Sequence, residues 1–157
     1  MTDLPNRKHL QRLDHVWVRP AIYYITTNTL RRQRVLVPRL ADTVTGALVE
    51  AAEKSGWAVG RYVVMLGHIH FFCQEERPAK PLSAFVGAFK QRATRLAWED
   101  GWRGGLWQPE FFDHVLRSDE SYEQKWVYVR MNPVRAGLCA SVEDWPYQGE
   151  VTVLTMH

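Results

Sequence analysis

The order of hydrophobic periods along the chain predicts an α+β fold. It is a ferredoxin-like βαββαβ sheet with helices on one face and an appended C-terminal helix that carries a tyrosine. Three observations predict it. Strand-like and helix-like periods follow the order strand, helix, strand, strand, helix, strand. The two middle strands are separated only by Gly67, which marks a hairpin with a tight turn or bulge. A further helical period then begins at SDES and runs toward Asn132.

Each element has a local reason. Residues 21–27, AIYYITT, follow a proline and are β-branched and aromatic, as a strand requires. Pro38 suits a first helical turn, and Leu40, Val44, Ala47, Leu48 and Ala51 recur at helical spacing up to a left-handed cap at Gly56. Residues 58–66, AVGRYVVML, and 68–74, HIHFFCQ, form the hairpin. Ser83 can cap a second helix that buries Phe85, Ala88, Phe89 and Leu96. FFDHVL, after Pro109, is the fourth strand. Ser118 caps the third helix, Asp119 and Glu120 suit its positive end, and Pro133 stops it near Asn132. Trp107 and Trp145 read as core or tail-anchoring residues. Residues 1–157 read as one domain, with 1–19 and 139–157 peripheral to its core.

Composition narrows the classes. No apolar run approaches the roughly 18 residues of a membrane span, and the N-terminus lacks the apolar segment of a signal peptide, so a cytoplasmic protein is expected. Cys73 and Cys139 lack zinc-finger spacing and are expected as free thiols. The net charge is only +3, but 15 of the 20 basic residues are Arg, the side chain that grips phosphate bidentately. Residues 31–39 and 77–98 hold basic residues and no acid, which suits a phosphate-binding surface or an ordinary solvated face.

Two constellations carry chemistry. His68 and His70 lie on one face of their strand and Ile69 on the other. Two imidazoles so placed can chelate a metal ion, or can be core residues satisfied by local hydrogen bonds. Tyr128 and Asn132 are four residues apart on the third helix and share a face. A phenol there can act as a covalent nucleophile, and an amide oxygen can complete a two-histidine metal site with positions left open. The same pair also suits plain polar surface. Tyr122 is the rival nucleophile, without an amide four residues on. His114 is a rival ligand or a local hydrogen-bonder.

HIH on a hairpin strand, then LWQPEFFDHVLR, then YVRMNPVRAGL resembles, over about residues 20–147, the REP-associated tyrosine transposases of the single-tyrosine HUH superfamily. Met65-Leu66-Gly67 stands where such proteins often have a proline and an Asn or Asp, which alters the turn rather than the ligands. The resemblance implies a metal-dependent single-stranded DNA transesterase that binds hairpin-forming repeat DNA and cleaves and rejoins it through a 5′-phosphotyrosine. Tyr128 would be the nucleophile, and His68, His70 and Asn132 would hold Mg²⁺ or Mn²⁺. Lys90, Arg92 and Arg95, then Arg31, Arg32 and Arg34, are the expected DNA contacts. A monomer is implied, and no protein partner. The alternative is a non-enzymatic or regulatory hairpin-DNA-binding protein derived from a transposase.

Overall fold

The computed structural model describes residues 20–156. In chain order its elements are β1 (Ile22–Asn28), α1 (Ala41–Ser55), β2 (Trp57–Val64), β3 (His68–Glu75), α2 (Leu82–Glu99), β4 (Phe112–Leu116), α3 (Asp119–Val129), α4 (Asn132–Arg135) and β5 (Gln148–Glu150). The sheet runs β4-β1-β3-β2-β5 with every neighbouring pair antiparallel. The first four strands give the predicted ferredoxin-like order. The expectation for residues 1–19 lies outside the described residues.

Alternation along the strands sorts side chains to two faces. On one face Phe71 packs edge-on to Phe85 and Phe89 of α2, and α1 adds Val44, Ala47, Leu48 and Ala51. The α1 stripe is the one the sequence period predicts, and Gly56 closes it at φ 80°. A Cβ there would sit 2.9 Å from the Pro78 carbonyl oxygen. On the other face Phe72 meets Tyr122 and Trp126 of α3, with ring centroids 4.9 and 6.3 Å apart. The sheet is therefore sandwiched, with the appended helix alone opposite α1 and α2.

Several local expectations change. Pro38 lies in an irregular turn before α1, because the residue before a proline is pushed to extended geometry and Val37 adopts it (φ −122°, ψ 144°). Ser83 does not cap α2, which starts at Leu82 after Pro81. The buried row of α2 is Phe85, Phe89, Ala93 and Ala97 with Val86, while Ala88 is exposed and Leu96 half-buried. A row of four-residue steps points one way, and Ala88 falls just off it.

The largest change concerns the tail expected to be peripheral over 139–157, whose described residues, 139–156, pack on the core. β5 pairs with β2, Trp145 and Leu154 are buried, and the Trp145 indole N–H donates to the Val64 carbonyl at 3.0 Å. Buried Gln74 donates to the carbonyls of Pro20 at 2.7 Å and Thr155 at 2.6 Å, so one amide ties both ends of the described chain. A Cβ at Gly60 would meet the Leu154 side chain at 2.7 Å, so this close approach of the tail requires glycine. No helix among the described residues is long and apolar enough to cross a membrane.

Candidate active site

The histidines occupy the sheet face covered by α3. His68 stands opposite Asn28 and His70 opposite Thr26 on β1. The two rings lie edge to face with centroids 4.7 Å apart. His70 Nδ1 is 2.8 Å from the Tyr24 hydroxyl and 2.8 Å from the Thr26 hydroxyl, which leaves Nε2 as its free nitrogen. Hydrogen bonding at one ring nitrogen is how a ligating imidazole is oriented. Burial pushes the His70 pKa down to about 3, and the charges of His68, Lys125 and Arg135 act the same way. Burial, then the Arg32 charge, also lowers His68. Neutral imidazoles carry the lone pairs that metal binding needs.

The two tyrosines of α3 separate cleanly. Tyr122 is 3% exposed, and its hydroxyl accepts from the Arg61 N–H at 3.3 Å. Burial pushes its pKa up to about 12, so it is a poor nucleophile walled off from substrate. Tyr128 is 61% exposed. The Lys125 ammonium lies 5.8 Å from the Tyr128 ring centre and 4.8 Å from that of Tyr24, the residue bonded to His70. The Arg135 guanidinium lies 4.2 Å over the Tyr128 ring.

Tyr128 and Asn132 do not share one uninterrupted helix. α3 ends at Val129, and Asn132 opens α4. The backbone stays right-handed through Arg130 (φ −65°) and Met131 (φ −80°), so the chain coils on. Arg135 spans the junction: it donates to the Asn132 side-chain oxygen while covering the Tyr128 ring.

Among the described residues no group of three or more His, Cys, Asp and Glu could hold a metal ion. Two imidazoles with an amide oxygen, such as that of Asn132, would be a donor set that needs no third His, Cys, Asp or Glu. That donor set fits a borderline or hard ion with open positions. His114 is exposed on β4 opposite Tyr24, and β4 is two strands from β3.

The basic residues divide by face. Arg31, Arg32 and Arg34 are exposed in the turn after β1, with Arg31 and Arg32 each at φ 53°. This turn is clamped to the hairpin next to His68: Thr29 N–H donates to the Gly67 carbonyl at 3.0 Å, and a Cβ on Gly67 would meet the Arg32 carbonyl oxygen at 2.9 Å. Gly67 thus makes room for the arginine turn. Lys90, Arg92 and Arg95 ride on α2, across the sheet from the histidines. The Lys90 ammonium donates to the Gln108 and Glu110 carbonyls, both at 2.8 Å, and burial lowers its pKa. It fastens the loop before β4, a structural role that the sequence expectation of a DNA contact did not include. Arg92 is ion-paired to Glu50 at 3.0 Å. Arg95 is exposed and lines a groove of about 470 Å³ with Trp98 and Gln91.

Sequence reasoning missed Tyr24, Thr26 and Arg135. Tyr24 and Thr26 face His70 only through the β1–β3 register, which no single segment reveals. Arg135 had a signal: it stands three residues after Asn132, about one helical turn away.

Residues 18–131 match the family described as "Transposase IS200 like", and the chain belongs to that family. It is similar to the REP-associated tyrosine transposase of Escherichia coli (strain K12), 22% identical over 131 residues, covering 83% of this chain and 77% of that one. A solved REP-associated tyrosine transposase bound to a REP hairpin shares the fold at a TM-score of 0.72 and 22% identity, covering 83% of this chain and 76% of the other. A candidate transposase from Deinococcus radiodurans R1 matches at a TM-score of 0.54 and 24% identity, over 69% of this chain and 87% of its own.

Proposed function

We propose that this transposase-family protein binds hairpin-forming repeat DNA and cleaves and rejoins single strands through a 5′-phosphotyrosine. One observation carries the reading. Tyr128 is the exposed tyrosine of α3, and the residues flanking it reach both Asn132 and the Tyr24–His70 pair.

Tyr128 supplies the nucleophile. As its oxygen bonds to phosphorus, the bond from phosphorus to the 3′ oxygen breaks and a 3′-hydroxyl leaves. Attack of a 3′-hydroxyl on the phosphotyrosine reverses the step, so one phosphoester replaces another and no external energy is needed. His68, His70 and Asn132 are the residues that would hold Mg²⁺ or Mn²⁺, which when bound polarises the phosphate and stabilises charge on its oxygens. Tyr24 and Thr26 fix the His70 ring. Arg31, Arg32 and Arg34, beside His68, contact the DNA backbone, and exposed Arg95 can extend that contact. The protein acts as a monomer in the cytoplasm in this reading.

The test incubates a repeat-derived hairpin oligonucleotide with the protein and Mn²⁺ and looks for a covalent adduct on a denaturing gel. Wild type and Tyr122→Phe should form it, and Tyr128→Phe should not. No adduct from wild type, or one that survives Tyr128→Phe, sinks the proposal. Metal-independent hairpin binding without an adduct would instead mark a regulatory DNA-binding protein.

A further inference from the structure

We propose that Arg135 is a phosphate-binding residue parked across the site when DNA is absent, holding the Asn132 amide oxygen and covering the Tyr128 ring until a scissile phosphate draws it away. The inference rests on the transesterase reading and adds to it a residue and a gate.

Two contacts define the position. The Arg135 guanidinium donates to Asn132 Oδ1 and lies 4.2 Å over the Tyr128 ring. Its charge also reaches the histidine side: burial lowers the His70 pKa and Arg135 adds to that, while burial raises the Tyr24 pKa and Arg135 partly opposes it. One cation therefore touches the candidate nucleophile and the candidate third ligand, and acts on the histidine side. The side chain is exposed, so rotation about its own bonds is all that movement requires.

The contact with Asn132 has a consequence for metal binding. The amide oxygen that would coordinate a cation already accepts from a cation, so loading the site must compete with Arg135. A phosphate offers the guanidinium something better. The bond to the amide pairs a cation with a neutral acceptor, whereas a phosphate pairs it with an anion, and a planar guanidinium meets a phosphate through two parallel N–H groups. DNA arrival thus moves the guanidinium to the anion and frees Asn132 in the same exchange. Lys125 cannot substitute: its ammonium is a point charge held between the Tyr24 and Tyr128 rings.

The test measures Mn²⁺ affinity of the full chain without DNA, by electron paramagnetic resonance, for wild type, Arg135→Gln, Asn132→Ala and the double variant. Arg135→Gln should bind Mn²⁺ about fivefold tighter, the size of a typical coupling between two interacting groups. In the Asn132→Ala background that gain should vanish. With hairpin oligonucleotide, Arg135→Gln should form adduct about 100-fold more slowly despite its tighter metal, as for loss of a donor aimed at developing charge. Arg135→Lys should recover part of the rate. Unchanged Mn²⁺ affinity in Arg135→Gln overturns the gate. An equal gain in the Asn132→Ala background overturns it too, because bulk charge would then explain the effect. An unchanged adduct rate overturns the phosphate role. Failure of the underlying reading looks different: wild type and His70→Ala would bind Mn²⁺ equally or not at all, and the gate would fall with the metal site.

Discussion

Trp145→Ala measures how far the C-terminal segment belongs to the core. The side chain is 7% exposed, and its indole N–H donates to the Val64 carbonyl at 3.0 Å. Truncating a buried aromatic to alanine costs about 3–5 kcal/mol. Domains of this kind hold about 5–15 kcal/mol in total, so the variant should remain folded in buffer with much of its margin gone. With a urea slope of about 2 kcal/mol per molar, a 4 kcal/mol loss lowers the unfolding midpoint by about 2 M. Trp145→Phe keeps a six-membered ring but loses the donor and part of the buried ring volume, so it should cost less than Trp145→Ala. The assay is urea unfolding followed by far-ultraviolet circular dichroism, with equal slopes required for the comparison. A Trp145→Ala midpoint within about 0.3 M of wild type would mean a loss well under 1 kcal/mol, and the segment would then be an ornament on the fold.

Two further outcomes follow from the site. The unfolded His70 imidazole takes a proton near pH 6.5, and the folded one only near pH 3, so stability present above pH 6.5 is lost as pH falls toward 3. Between pH 6.5 and 4.5 wild type should lose about 2–3 kcal/mol more than His70→Gln, at about 1.4 kcal/mol per proton per pH unit, and parallel stability curves would refute the buried neutral imidazole. Neutralising Arg31, Arg32 or Arg34 should flatten the salt dependence of hairpin binding by up to about 0.9 per lost phosphate contact, whereas Lys90→Ala should lower thermal stability and leave that slope alone. A lower slope for Lys90→Ala would mean its ammonium leaves the loop for DNA.

The sequence revealed what local periods encode. The four core strands, the α1 stripe and the common face of His68 and His70 follow from spacing of 2 and 3.6 residues, and the structure has them. Ser118 caps α3 as its position suggests, accepting from the Ser121 N–H at 3.0 Å. What stayed hidden depends on residues far apart. β5 is three residues long, too short to show alternation, and its anchors Trp145 and Leu154 lie outside it with no shared period. Lys90 read as a free cation because the carbonyls it binds lie 18 and 20 residues downstream. The amide four residues after Tyr128 set it apart from Tyr122 in sequence, but the burial of Tyr122 against Phe72 and Arg61 could not be read from spacing.

β5 also settles what the sheet offers to other chains. Without it, the eight-residue strand β2 would end the sheet as a long row of unpaired amides and carbonyls. With it, the rims among the described residues are a three-residue strand on one side and the five-residue β4 on the other. Short rims give an incoming strand little to zip onto, so the tail guards against aggregation by strand addition. Trimming it should leave the protein more prone to clump as well as easier to unfold.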